Sequence, residues 1–153
     1  MAYKHILVAV DNDDTNEKVC RRALEIASGC HAKLDLLHVV EPPPLPAIAA
    51  GGMGAISPPV EPTTEERKKA VETARKNLEA LKELLGISDA NVHVIESPLT
   101  KETIHEAAQD IGANLVVVGS HGRHGLALFL SASIAGEFLK DAPCDLLAVR
   151  IED

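Results

Sequence analysis

Tryptophan is absent from this chain, which holds one tyrosine and two phenylalanines. A core without large rings has to be filled by valine, isoleucine, leucine and alanine, the residues that a parallel sheet covered by helices uses. Cysteine is scarce. Cys20, Cys30 and Cys144 are odd in number and form no CxxC pair, which argues against a disulfide framework or a zinc site. Cys20 and Cys144 have apolar neighbours, where a thiol serves as a small buried hydrophobe. No apolar run approaches the roughly 20 residues that cross a bilayer. Met1 to His5 leads straight into a short apolar stretch without a secretory signal, so a cytoplasmic protein is expected. Positive charge is also short: 15 basic residues face 23 acidic ones, a net charge of −8. An acidic surface repels phosphodiester backbones and anionic membranes, so neither nucleic acid nor membrane is an expected partner. A local phosphate site stays open, because backbone N–H groups hold an anion without net positive charge.

What is present is enough aliphatic material for a core: 46% of the 153 residues are hydrophobic, which suits one domain over residues 1–153. Ile6 to Val10 reads as a buried strand stopped by Asp11-Asn12-Asp13-Asp14. Asp14 and Glu17 suit a helix start, with Val19, Ala23, Ile26 and Ala27 facing inward as far as Gly29. Leu34 to Val40 is a second strand whose apolar run is broken by Asp35 and His38. Residues 41–62 hold seven of the nine prolines together with Gly51, Gly52 and Gly54, the composition of a mobile loop. Thr63 or Thr64 then caps a long helix, with Glu66 completing a capping box and Gly86 ending it. Ala70, Val71, Ala74, Leu78, Leu81 and Leu85 form its inward stripe; Lys68, Lys69, Arg75, Lys76 and Lys82 form its solvated face. Val92 to Ile95 is a third strand. A helix from about Lys101 carries Ile104, Ala107, Ala108 and Ile111 and closes at Gly112. Leu115 to Val118 lacks any alternation, as a strand buried on both faces does. A helix around Ser133 to Lys140 and a strand from Cys144 to Val149 follow. Strand and helix thus alternate five times, which predicts an α/β fold with an open parallel sheet.

Behind the most buried strand stands Gly119-Ser-His-Gly122-Arg-His-Gly125, with a helix start near Ser131-Ala132-Ser133. Ligands of open α/β sheets sit beyond the carboxyl ends of the strands, where the strand order reverses. Glycines there admit close backbone approach, and serines at a helix start offer hydroxyls beside unpaired N–H donors. The same glycines could simply make a tight connection, since no GxxxxGK[ST] loop and no GxGxxG turn are present.

Tyr3-Lys-His-Ile-Leu-Val-Ala-Val-Asp11, Leu36-Leu-His-Val39, Gly119-Ser-His-Gly122 and Ala142-Pro-Cys144 together resemble the universal stress protein family, in family order across the chain outside the proline-rich loop. The resemblance implies a Rossmann-like five-stranded parallel sheet in the order 3-2-1-4-5 with helices on both faces. It also implies a homodimer paired through the last strand, and ATP or AMP held between the first and fourth strands. The family's nucleotide motif is Gly, two residues, Gly, nine residues, then Gly-Ser or Gly-Thr. It falls on Gly119, Gly122, Ala132 and Ser133, so Ala132 departs from it with a methyl group at a phosphate-facing position. A branch of the family lacks the glycines and binds no ATP; this chain keeps three of the four positions. By the same resemblance Asp11 lies beside the adenosine and Val39 meets the adenine through its backbone. A carboxylate at a strand end can accept ribose hydroxyls or hold magnesium through water, and equally can cap loop N–H groups. Arg123 either contacts a phosphate tail or faces water.

His121 and His124 have no sequence-evident carboxylate partner, and the remaining histidines show no metal-ligand spacing. Ser120, Ser131 and Ser133 stand in no GxSxG elbow, and Ser133 suits a phosphate or a plain helix cap equally. With no general base or transition-state clamp in view, any ATP hydrolysis is expected to be slow and incidental. Three readings follow: a regulatory homodimer binding ATP or AMP with magnesium, a dimeric adaptor of the same family that docks an unidentified protein without nucleotide, and a phosphotransferase or nucleotide hydrolase using His121.

Overall fold

In a computed structural model, residues 2–10, 16–42, 63–119 and 139–150 are described. They form β1 (His5–Ala9), α1 (Asn16–Cys30), β2 (Lys33–Val40), α2 (Thr64–Leu85), β3 (Asn91–Glu96), α3 (Thr100–Ile111), β4 (Leu115–Gly119) and β5 (Asp145–Val149). Residues 139–141 are helical as well. The strands make one five-stranded sheet, β3-β2-β1-β4-β5, with every pairing parallel. This is the expected order.

Side chains of successive strand residues point to opposite faces, and the aliphatic runs here fill both. Ile6, Val8, Val10, Leu36, Leu115 and Val117 join Val19, Cys20 and Ala23 of α1 and Leu78 and Leu85 of α2 on one face. Leu7, Ala9, Leu37, Val116 and Val118 join Ile104 and Ala108 of α3 on the other. Val116, Val117 and Val118 are all fully buried, as a run without alternation predicts. Entry to the sheet is fixed by Asn114, whose Oδ1 accepts the Lys4 and His5 N–H groups while its own N–H donates to the His5 carbonyl.

The capping box of α2 forms as read, with Thr63 as the cap. The Glu66 N–H donates to Thr63 Oγ1 at 3.1 Å, and the Thr63 N–H donates to the Glu66 carboxylate at 2.8 Å. Gly86 and Gly112 both close their helices at φ 69°, where a side chain would be strained. Two details differ from the sequence reading. α1 does not stop at Gly29; it runs to Cys30, and His31 takes the left-handed position at φ 57°. The Ala32 N–H reaches back to the Ala27 carbonyl at 2.8 Å, and that bond holds His31 in the turn. Ala70 is exposed instead of inward. α2 has 22 residues, a rod of about 33 Å, and strands of five to eight residues cannot cover its first turns.

Candidate functional site

β1 lies between β2 and β4. α1 and α2 pack on one face of the sheet and α3 on the other, so the chain changes direction beside β1. The crevice beyond the carboxyl ends of β1 and β4 is therefore the place where such a sheet binds ligands.

Two of the residues singled out from sequence are described at this edge. Val39, near the end of β2, is half-buried and packs against the α3-side core. Gly119 is the last residue of β4, buried and in register with Val149 of β5. With one strand between them, they stand about 10 Å apart across the sheet at ordinary strand spacing. Asp11, Gly122, Arg123, Ala132 and Ser133 lie outside the described residues, as do His121 and His124.

Polar contacts brace the same edge. The Val10 N–H donates to the Leu37 carbonyl at 2.9 Å, and the Val10 carbonyl accepts from Nδ1 of the His38 ring at 2.9 Å. The Ser97 N–H donates to the Val40 carbonyl at 3.0 Å, and the Thr100 hydroxyl donates to Glu41, tying the exit of β2 to the start of α3. Arg67 of α2 pairs with Glu96 at the end of β3, its Nε 2.7 Å from the carboxylate. On the α2 face a shallow groove is lined by His38, Val40, Glu66, Lys69 and Thr73. His38 and Val39 are neighbours in a strand and so serve opposite faces.

A second polar cluster lies nearer the other end of the sheet. Asp35, 3% exposed, sits among apolar neighbours of β2. His93 of β3 donates from Nε2 to one of its oxygens at 2.9 Å, and His5 of β1 brings Nε2 to 3.3 Å from the other. The His5 contact misses hydrogen-bond geometry, so that buried nitrogen has no good partner. Among the described residues, no group of three or more histidine, cysteine or acidic side chains could hold a metal ion. No described helix is long and apolar enough to cross a membrane. The sequence reading gave no role to His38 or Asp35; their only signal was the break each makes in the apolar run of β2. Burial pushes the Cys20 thiol up to about 12 and raises that of Cys144, so neither is an activated nucleophile.

The five-stranded parallel sheet in the order β3-β2-β1-β4-β5, with helices packed on both faces, defines a Rossmann-like α/β protein. A profile described as the universal stress protein family matches residues 2–150, and the chain belongs to that family. It is 36% identical over 154 residues to universal stress protein A homolog 1 of Coxiella burnetii, covering 100% of both chains. Its fold is similar to that of the universal stress protein UspA from Lactobacillus plantarum, with a TM-score of 0.70, 22% identity and coverage of 98% and 99%. A universal stress protein solved in complex with cAMP is similar with a TM-score of 0.64 and 19% identity, covering 98% of each chain. At those identities the two structures establish the fold.

Proposed function

We propose that this protein is a regulatory homodimer that binds an adenine nucleotide, ATP or AMP, beyond the carboxyl ends of β1 and β4. The observation that carries the reading is the placement of Val39 and Gly119 on either side of the β1 end, at the switch point of the sheet. An adenine ring takes an apolar shelf and backbone polar groups, and half-buried Val39 fits that need. The cAMP complex of a protein with the same fold supports the ligand class.

In this reading Asp11 receives the ribose hydroxyls or a magnesium ion through water. Gly119 and Gly122 admit the phosphates to the backbone, Arg123 neutralises their charge, and Ser133 donates its hydroxyl. The dimer pairs through β5, an edge strand of the sheet among the described residues, and edge strands invite a partner. Magnesium would screen the phosphate charge, and the role proposed is binding, with any hydrolysis slow and incidental.

Ala132 in place of the motif glycine favours a second reading, a dimeric adaptor without nucleotide. The two separate in one experiment. Purified protein is extracted with acid and chromatographed for adenine nucleotides, and melting is followed with added MgATP. Saturation at about 100 times Kd stabilises by roughly 2.7 kcal/mol, a readily measured rise in Tm. Ala132→Gly should tighten binding in titration calorimetry if the methyl crowds the phosphates. Absence of both extracted nucleotide and any MgATP shift moves the assignment to the adaptor.

A further inference from the structure

We propose that His38 is a positioning residue that ends the β1–β2 ladder early and so leaves the Val39 backbone N–H facing the nucleotide; the inference rests on the nucleotide reading above. In a parallel pair, a residue gives its N–H to one partner carbonyl and its own carbonyl to the N–H two residues further on. Val10 donates to the Leu37 carbonyl at 2.9 Å. Continued by one step, the ladder would hand the Val10 carbonyl to the Val39 N–H. The His38 ring takes this carbonyl, with Nδ1 at 2.9 Å. A carbonyl only accepts, so Nδ1 carries the hydrogen and the neutral ring is the Nδ1–H tautomer.

The rest of the edge agrees. β1 ends as a strand at Ala9, whereas β2 runs on to Val40 and stays paired with β3 as far as Glu96. β1 therefore leaves its neighbour at the residue the imidazole holds, and the next residue in sequence is Asp11. The ring is half-buried against the α2-face groove, on the side of the sheet away from the Val39 side chain. His38 thus needs no contact with the ligand to act. It withholds a carbonyl that would otherwise occupy the ligand's donor.

The test uses His38→Leu, which removes the donor, and His38→Asn, whose amide nitrogen falls where Nδ1 was. Nitrogen NMR of the unsubstituted protein without nucleotide should report the Nδ1–H tautomer, and the Val39 amide should exchange rapidly with solvent. In His38→Leu, Val39 exchange should slow at least about tenfold as the ladder closes, and the Kd for ATP should rise roughly five- to tenfold, the scale of one net hydrogen bond. His38→Asn should restore both. An Nε2–H tautomer, an unaltered Val39 exchange rate in His38→Leu, or an Asn variant that behaves like the Leu variant overturns the proposal. If the unsubstituted protein takes no ATP, the nucleotide reading fails; the tautomer and the exchange rates still decide separately whether the ring holds the ladder open. Should His38→Leu fail to fold, the tautomer and the Asn variant remain decisive.

Discussion

Replacing His93 should destabilise the protein more than replacing the carboxylate it serves. Asp35 is 3% exposed and has one well-made side-chain hydrogen bond, from His93 at 2.9 Å. His5 stands 3.3 Å away without donating along a good line. His93→Leu strands a buried carboxylate. Breaking a fully buried charged pair from one side costs about 3–5 kcal/mol. The His93 side chain is 34% exposed, however, so water reaches the gap it leaves. A cost of about 2 kcal/mol is expected, the desolvation of one polar group partly relieved. Asp35→Leu removes the group that needs a partner and adds apolar contact with the α3-side core; it should lie within about 1 kcal/mol of the unsubstituted protein, on either side. Urea unfolding at pH 7.5 and fixed protein concentration measures both, together with the double variant, whose cost should fall well below the sum of the singles. An Asp35→Leu protein less stable than His93→Leu would falsify this reasoning, because the carboxylate would then be a net stabiliser.

Two further outcomes follow from single contacts. Thr63→Ala removes the side-chain half of the α2 capping box and should cost about 1 kcal/mol, read as a lower Tm by circular dichroism; an unchanged Tm would mean that the first turn of α2 contributes nothing to stability. The Cys20 thiol is pushed up to about 12 from the ordinary 9.0 by burial, so from pH 9 upward the unfolded chain releases a proton that the folded chain keeps. The associated stability is complete below pH 9 and falls by up to about 1.4 kcal/mol per unit as pH rises toward 12. Between pH 9 and 10 the unsubstituted protein should lose roughly 1 kcal/mol more in urea unfolding than Cys20→Ala does, and parallel losses would show that Cys20 is not the group responsible.

The architecture was legible because each apolar run is long enough to be a strand and short enough to exclude a helix, and because capping signals punctuate the chain between them. Thr63 with Glu66, and the glycines at 86 and 112, act through local chemistry and form as read. The end of α1 was not legible. Gly29 looks like the natural left-handed residue, yet the packing of Ala27 against the sheet and the return of Ala32 to its carbonyl place that turn at His31. Ala70 was misplaced because helical periodicity says which face is apolar, and not how far the sheet extends beneath it. At the candidate site, Val39 and Gly119 lie toward the carboxyl ends of β2 and β4, the two strands that flank β1. Asp35 and His38 carried no local signal of purpose, since their partners on β1 and β3 are set by register and lie 28 to 58 residues away in the chain.

These two polar residues interrupt the same strand three positions apart, and that spacing sends them to opposite faces. Their partners then divide their roles. Asp35 meets side chains on both neighbouring strands, so replacing it with a hydrocarbon changes stability and leaves the edges of the sheet as they were. His38 meets a backbone carbonyl at the end of the β1 strand, and a carbonyl released there becomes available to the ladder. A hydrocarbon at 38 would therefore lengthen the β1–β2 pairing toward Val39. The aliphatic strands on their own would pair as far as their lengths allow; a single imidazole sets where that pairing stops, at the carboxyl end, where sheets of this kind bind their ligands.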